Sequence, residues 1–395
     1  MILRPHYTNW PNRWRNKNVI KVLTGMRRCG KSTVLQLFGE QLLSEGVDRS
    51  NIISINFENM DEDYPLDAKS LYDYVVSRLS TGINYIFLNE VQCVSDFDRV
   101  VDGLYVRPDI DLYVTGSNAF FLSGEPATLL TGRYVEIQVM PLSFAEYHSA
   151  DPQQNVDAAF NRYLTFGGLP YSLQIEQARD IADYLGGVFN TVIVKDIAAR
   201  NPRMDMRAFS ETTAFLADNI GNITSQKKIA RGLTASGHKI SPTTVAAYVN
   251  ELKSSYLVYE VGRYNIKGRE HLSTLEKYYL GDLGLRFWLL GGSQQDIGHR
   301  IENAVYLELL RRADSVSVGL MQSSEIDFVT RDHEGLKYYQ VAMSVLDPAT
   351  LERELAPLRT VNDDYPKTLL TLDRIGVGDR NGIRQENIID WMLGD

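Results

Sequence analysis

Residues 25–33 read Gly25-Met26-Arg27-Arg28-Cys29-Gly30-Lys31-Ser32-Thr33 and satisfy the pattern G-x-x-x-x-G-K-[ST] at every fixed position. The flanks agree with it. Val19-Ile20-Lys21-Val22-Leu23 is an apolar, β-branched run, and Ser32 to Leu43 has the apolar spacing of a helix. Strand, glycine loop and helix in that order make a phosphate-binding loop. Gly25 and Gly30 let the backbone turn so that successive N–H groups face a β-phosphate, where the helix N-terminus adds a favourable dipole. Lys31 is expected to reach the β/γ oxygens and Ser32 to ligate Mg²⁺. Gly25, Arg27, Arg28, Cys29, Gly30, Lys31, Ser32 and Thr33 form the expected nucleotide-binding set.

Such a site needs a second strand ending in acid, and Asn84-Tyr85-Ile86-Phe87-Leu88-Asn89-Glu90 supplies one. The usual pair there is Asp-Glu, the first acid holding the Mg²⁺ hydration shell and the second polarising the attacking water. Glu90 is the expected base; as a strand cap it would have no chemistry. Asn89 can hydrogen-bond a metal-bound water through its carbonyl oxygen, but it brings no negative charge. Secure binding with slow hydrolysis is the expectation.

A third strand, Asp111-Leu112-Tyr113-Val114-Thr115, runs into Gly116-Ser117-Asn118. Ser117 or Asn118 is a candidate contact to the γ-phosphate or the attacking water, or either is a turn residue. Arg133, in Leu130-Thr131-Gly132-Arg133-Tyr134, can stabilise transition-state charge in cis or across a subunit boundary, or form a surface ion pair.

The 395 residues carry a net charge of −9 and should fold as two or three globular domains. No stretch approaches a membrane span, and Met1-Ile2-Leu3-Arg4-Pro5-His6 lacks the pattern of a secretory signal, so a cytoplasmic protein without a membrane partner is expected. Two cysteines exclude a disulfide framework and a multi-cysteine zinc site. Cys29 and Cys93 are read as small apolar residues rather than as a redox switch. The six histidines show no pair at metal-ligand spacing.

Beyond about Pro141 the pattern turns helical, resembling a lid over a nucleotide core. Val194 to Arg200 ends at Asn201-Pro202, a boundary because the residue before proline leaves the helical region. Lys195, Asp196 and Arg200 are read as an exposed charged face, with contact to nucleotide or a neighbouring subunit as the alternative. From Met206 to Ile266 the spacing predicts three helices, at 209–219, 225–233 and 241–252, and a hairpin beginning at Leu257. The third helix opens on a Ser241 cap with Pro242 at its first position. That is the outline of a winged helix-turn-helix. It would offer Thr243, Thr244, Tyr248 and Asn250 outward, with Lys227, Lys228, Arg231 and Arg263 for phosphates. Residues 205–270 hold nine Lys/Arg against six Asp/Glu, a positive island in an acidic chain. Double-stranded DNA and a protein partner both remain open.

These residues resemble the bacterial and archaeal AAA-like ATPases whose C-terminal half carries a winged helix and a restriction-endonuclease-like domain. The resemblance covers nearly the whole chain. It rests on Thr24 to Ser32 with its paired arginines, on Phe87-Leu88-Asn89-Glu90-Val91-Gln92, on Thr115-Gly116-Ser117, on Gly132-Arg133 followed by Pro141-Leu142-Ser143-Phe144, and on Phe166-Gly167-Gly168-Leu169-Pro170. It implies an α/β chain: a three-layer P-loop NTPase core at 1–145, a helical lid at 146–204, a winged helix-turn-helix at 205–270 and a nuclease-like domain at 271–395. Glu302 to Arg312 looks like the opening helix of that last fold and Ser324 to Val329 like the strand bearing its aspartate. The next strand should end in Glu-x-Lys, and here Gln340-Val341-Ala342 replaces it, removing a metal ligand and a cation together. Glu302 and Asp327 alone make a poor site, so nuclease activity is not expected. The guanine-reading Asn-Lys-x-Asp motif is absent, leaving ATP with Mg²⁺ as the expected ligand. The expected function is an ATPase coupling nucleotide state to DNA or a partner, as a homo-oligomer if Arg133 acts in trans. A nucleotide-sensing scaffold with little hydrolysis is the alternative.

Overall fold

The computed structural model describes residues 2–59, 64–119, 130–292, 296–321 and 324–394. The chain divides into two compact units, Met1–Pro141 with Ser254–Tyr256, and Leu142–Lys253 with Leu257–Asp395.

The first unit is built on five parallel strands: β1 (Ile20–Thr24), β2 (Ile52–Asn56), β3 (Asn84–Asn89), β4 (Ile110–Thr115) and β5 (Tyr134–Gln138), in the order β2-β3-β4-β1-β5. Parallel sheets bury both faces, which is why every residue of β1 and β3 is buried and their middles are apolar apart from Lys21. The two faces still alternate with period 2. Val22, Ile86, Leu88, Leu112 and Val114 pack with Leu71, Val75, Val101 and Leu104 from the helices Ala68–Val76 and Phe97–Tyr105. On the other face Phe87 and Tyr113 meet Phe38 with ring centroids 5.9 and 5.1 Å away. Phe38 belongs to α2 (Lys31–Ser44); α1 (Pro5–Trp14) precedes β1. The layers are therefore α/β/α. Lys21 breaks the apolar run, and its buried ammonium is paired with Asp111 on β4 and donates to the Lys17 carbonyl at 2.7 Å.

The second unit begins with helices. Phe144–His148 opens on a capping box in which Ser143 Oγ accepts the Glu146 N–H at 3.1 Å and Glu146 Oε2 accepts the Ser143 N–H at 3.0 Å. The helix Ala178–Thr191 widens into π-helical turns at Val192–Ala198. There Lys195 is exposed but Asp196 is buried, and Arg200 pairs with Glu251 at 3.0 Å. The uniformly exposed charged face expected at 195–200 is thus corrected at Asp196, because the widened turn carries that side chain inward.

The helices Met206–Asp218, Gln226–Ala235 and Pro242–Ser254 follow within a few residues of their expected bounds, and Ser241 Oγ accepts the Thr244 N–H at 3.0 Å. Eight strands complete the unit: β6 (Val258–Asn265), β7 (Glu270–Leu280), β8 (Ser315–Met321), β9 (Ser324–Asp332), β10 (Gly335–Ala342), β11 (Lys367–Thr371), β12 (Gly378–Asp379) and β13 (Arg384–Asn387). Their order is β12-β13-β11-β10-β9-β8-β6-β7. The β6–β7 hairpin is bonded to β8 through β6, so it continues the C-terminal sheet, and position 270 is the first residue of β7. Among the described residues no helix is long and apolar enough to cross a membrane.

Candidate nucleotide site

Because β1, β4 and β3 are adjacent and parallel, their C-terminal ends share one edge of the sheet, the edge where open α/β sheets bind ligands. The phosphate loop leaves β1 there, Glu90 follows β3, and Gly116-Ser117 follows β4. Gly25 has φ +133°, and a Cβ on it would lie 2.0 Å from the Val139 carbonyl oxygen, so no side chain fits. Gly30, at φ +106°, caps α2 in the left-handed region.

Lys31 is 4% exposed; its ammonium donates to the Gly25 and Met26 carbonyls at 2.9 and 3.2 Å and lies 3.4 Å from Glu90 Oε1. Glu90 sits at φ +55°, held by its N–H donating to Thr115 Oγ1 at 3.0 Å. Burial pushes the Glu90 carboxyl up. The Lys31 ammonium outweighs it, together with the Ser117 hydroxyl, Arg27 and Gln92, and holds the group ionised below its usual range. Gln92, on the short 3₁₀ turn Val91–Cys93, donates Nε2–H to Glu90 Oε2 at 2.6 Å and to Ser117 Oγ at 3.3 Å. Ser117 therefore joins the Glu90 cluster, whereas the Asn118 amide is directed to Ser255 Oγ of the same unit at 3.5 Å. Gln92 closes the motif at 87–92 on which the resemblance rests, but the sequence assigned it no role.

Arg27 pairs with Glu58, Arg28 is exposed at φ +66°, and Ser32 and Thr33 stand exposed on the first turn of α2. Asn89 ends β3 buried, and its Oδ1 finds no hydrogen-bond partner. An orphaned buried acceptor suits a donor such as a metal-bound water. With the Ser32 hydroxyl, Asn89 Oδ1 and Glu90 near the loop, the residues fit Mg²⁺ held mainly by phosphate oxygens and water. Among the described residues no group of three His, Cys, Asp or Glu side chains is arranged to hold a metal by itself. Cys29 is buried, which pushes its thiol up, and Cys93 is exposed; neither is in a disulfide.

Arg133 is not brought to this cluster. It precedes β5, whose first residue pairs with Ile20 at the start of β1, and the Ile20 N–H donates to the Arg133 carbonyl at 2.8 Å. The loop leaves the far end of β1, about 13 Å of strand away. The Arg133 guanidinium pairs with Asp102. The parallel register thus corrects the expected action in cis.

In the second unit Tyr248, expected on the outer side of its helix, is buried against Phe209 with centroids 5.5 Å apart; Thr243 and Asn250 are exposed and Thr244 is half-buried. Glu302 and Asp327 do come together, with Glu325, around a cation the sequence did not suggest. Lys277 Nζ on β7 lies 3.0 Å from Glu302 Oε1, 2.8 Å from Glu325 Oε1 and 3.9 Å from Asp327 Oδ1. Tyr279 donates to Glu302 at 2.6 Å, and burial with the Glu302 charge pushes the Asp327 carboxyl up. Gln340 Nε2 donates to Glu354 at 3.0 Å.

The five-stranded order, the glycine loop and the acid-bearing neighbour strand define a nucleotide-binding P-loop ATPase core of AAA type. A sequence profile described as AAA domain matches residues 17–148, and one described as a domain of unknown function matches residues 157–296. An uncharacterized protein of Haemophilus influenzae is 34% identical over 399 residues, covering 100% of this chain and 99% of its own. An uncharacterized protein of Methanocaldococcus jannaschii is 26% identical over 331 residues, 80% of this chain and 70% of its own. Among solved structures, a Walker-type ATPase of Pyrococcus abyssi shares the fold with a TM-score of 0.52 at 15% identity, over 73% of this chain and 96% of that one. The chain belongs to the AAA-domain family of P-loop ATPases.

Proposed function

We propose that the chain hydrolyses ATP slowly with Mg²⁺ and couples its nucleotide state to the binding of DNA or a protein partner by the second unit. The observation that carries the ATPase part is the convergence of Lys31, ionised Glu90, Gln92 and Ser117 where three adjacent strands end. Lys31 and the loop amides hold the triphosphate, Glu90 accepts the proton of the attacking water, and Ser117 orients that water or the γ-phosphate. Bound Mg²⁺ would neutralise phosphate charge, held by Ser32 and, through water, by Asn89. Asn89 favours the slow rate and the second reading, a nucleotide-sensing scaffold, since an amide gives the metal no negative charge.

The coupling part rests on the three helices at 206–254 followed by the β6–β7 hairpin, read as a winged helix-turn-helix. Lys227, Lys228, Arg231 and Lys239 are exposed there. With Tyr248 buried, Thr243 and Asn250 are the fully exposed members of the expected outward set, on the same three-helix segment as these cations. Around Lys277 the C-terminal sheet is read as a partner-binding platform without nuclease activity. Arg133, away from its own loop, fits action in trans within a cytoplasmic homo-oligomer.

ATP turnover under Mg²⁺, with and without duplex DNA, tests this in the wild type, Lys31→Ala, Glu90→Gln and Asn89→Asp. Turnover that needs Lys31 and Glu90 and rises with DNA supports the coupled ATPase. Tight binding without turnover, restored about tenfold or more by Asn89→Asp, supports the scaffold. Duplex affinity that does not fall with salt removes the DNA reading.

A further inference from the structure

Arg4 figures in none of the motifs above, yet its side chain lies behind the phosphate loop. It is 5% exposed. Its Nη1 donates to the Cys29 carbonyl at 2.8 Å, and its Nη2 donates to the carbonyls of Met140 at 2.8 Å and Pro141 at 3.4 Å. Tyr7, at the start of α1, braces the same point: its ring centroid is 4.3 Å from the guanidinium carbon, and its hydroxyl accepts the Met140 N–H at 3.2 Å. One side chain therefore ties residue 29 of the loop to the residues that follow β5. A second tie runs alongside it, the Cys29 thiol donating to the Val139 carbonyl at 3.0 Å.

This tie has a directional consequence. The peptide bonds of the described residues are trans, and in a planar trans peptide the carbonyl oxygen and the amide hydrogen point in opposite directions. With the Cys29 carbonyl held on the guanidinium, the Gly30 N–H is turned away from Arg4. Gly30 is the N-cap of α2, and its amide is one of the donors that such a loop offers to an anion. A Cβ on Gly30 would lie 3.6 Å from Arg4 Nη1, so the guanidinium lines that side of the peptide. A planar fork with several fixed donors can hold two carbonyls at once, which a single ammonium does less well. Fixing the peptide in advance removes part of the ordering loss that binding otherwise carries.

We propose that Arg4 is a positioning residue of the nucleotide site: it sets the Cys29–Gly30 peptide so that the Gly30 N–H faces the triphosphate, and it links that peptide to the exit of β5. The proposal rests on the reading that Lys31 and its loop hold ATP.

The test measures the dissociation constant of a fluorescent ATP analogue with Mg²⁺, and the KM and kcat for ATP, on the full chain. It compares the wild type with Arg4→Ala, Arg4→Lys, Tyr7→Phe and Lys31→Ala. Thermal unfolding of each variant without nucleotide establishes that it is folded. Losing one charge-assisted hydrogen bond should weaken binding by about tenfold to a hundredfold in Arg4→Ala, seen in Kd and KM far more than in kcat. Arg4→Lys should recover only part of this, and millimolar guanidinium should restore part of the affinity to Arg4→Ala. Tyr7→Phe keeps the packing and the Cys29 contact and should stay within about twofold of wild type. Wild-type affinity in Arg4→Ala or in Arg4→Lys overturns the proposal, as does a loss in Tyr7→Phe equal to that in Arg4→Ala. Should Arg4→Ala not fold, Arg4→Lys and Tyr7→Phe still decide it. If Lys31→Ala itself leaves binding unchanged, it is the assignment of the site that fails.

Discussion

The Gln92 amide bridges Glu90 and Ser117, donating at 2.6 Å to the carboxylate and at 3.3 Å to the hydroxyl. Two groups that arrive on different strands are thereby held by one side chain. Hydrogen bonds to the ionised form lower a carboxyl pKa, so removing this donor raises that of Glu90. A base must be ionised to act. In Gln92→Ala the acidic limb of the kcat–pH profile should therefore move to higher pH, while Gln92→Asn shifts it less; an unmoved limb would count against the bridge.

The two cysteines should differ in reactivity. Thiolates react, and burial holds the Cys29 thiol protonated while Cys93 is exposed. Peptide mapping after mild iodoacetamide treatment should find Cys93 modified and Cys29 intact, with nucleotide affinity retained.

Asp282 gives the second unit a pH dependence. Its carboxylate is buried, Oδ2 accepting the Gly168 N–H at 2.7 Å and Oδ1 the Gly284 N–H at 2.8 Å. Burial pushes the group up to about 7, against the pull of those two bonds and of Arg311. A carboxyl raised in the folded state contributes stability that is full below its unfolded pKa and is lost as pH rises through the folded value. Unfolding free energy in urea should therefore decline between about pH 4 and pH 7. Asp282→Asn should flatten that slope and destabilise the unit at every pH, since its amide can accept through one oxygen only.

Lys277 serves three carboxylates at once. Lys277→Met leaves them without their cation and should cost about 3 kcal/mol at pH 7, the low end for breaking an enclosed ion pair because Glu325 keeps some solvent access. The deficit should shrink at pH 5: Asp327, pushed up to about 8, is already protonated at pH 7, and it is Glu302, which Lys277 holds down, whose carboxyl rises and takes a proton once the cation is gone. Denaturant titrations at the two pH values measure both effects.

Local pattern was enough for β1, β3, α2 and the Ser241-capped helix, because alternation, helical spacing, glycine placement and caps are properties of neighbouring residues. It was enough, too, for Lys31, Glu90 and Ser117, since a parallel sheet brings the ends of its strands to one edge whatever lies between them. Strand order and long-range packing decided the rest. The pairing of β5 with β1 put Arg133 at the far edge of the sheet, and the packing on Phe209 turned Tyr248 inward. Lys277 met Glu302 and Asp327 only because β7, a helix and β9 lie together. Arg4 reached Cys29 and Met140 across separations of 25 and 136 residues. Contacts of that kind leave no period or spacing along the chain, so the sequence alone pointed to the phosphate loop and the strands beside it, and the tertiary structure selected which side chains surround them.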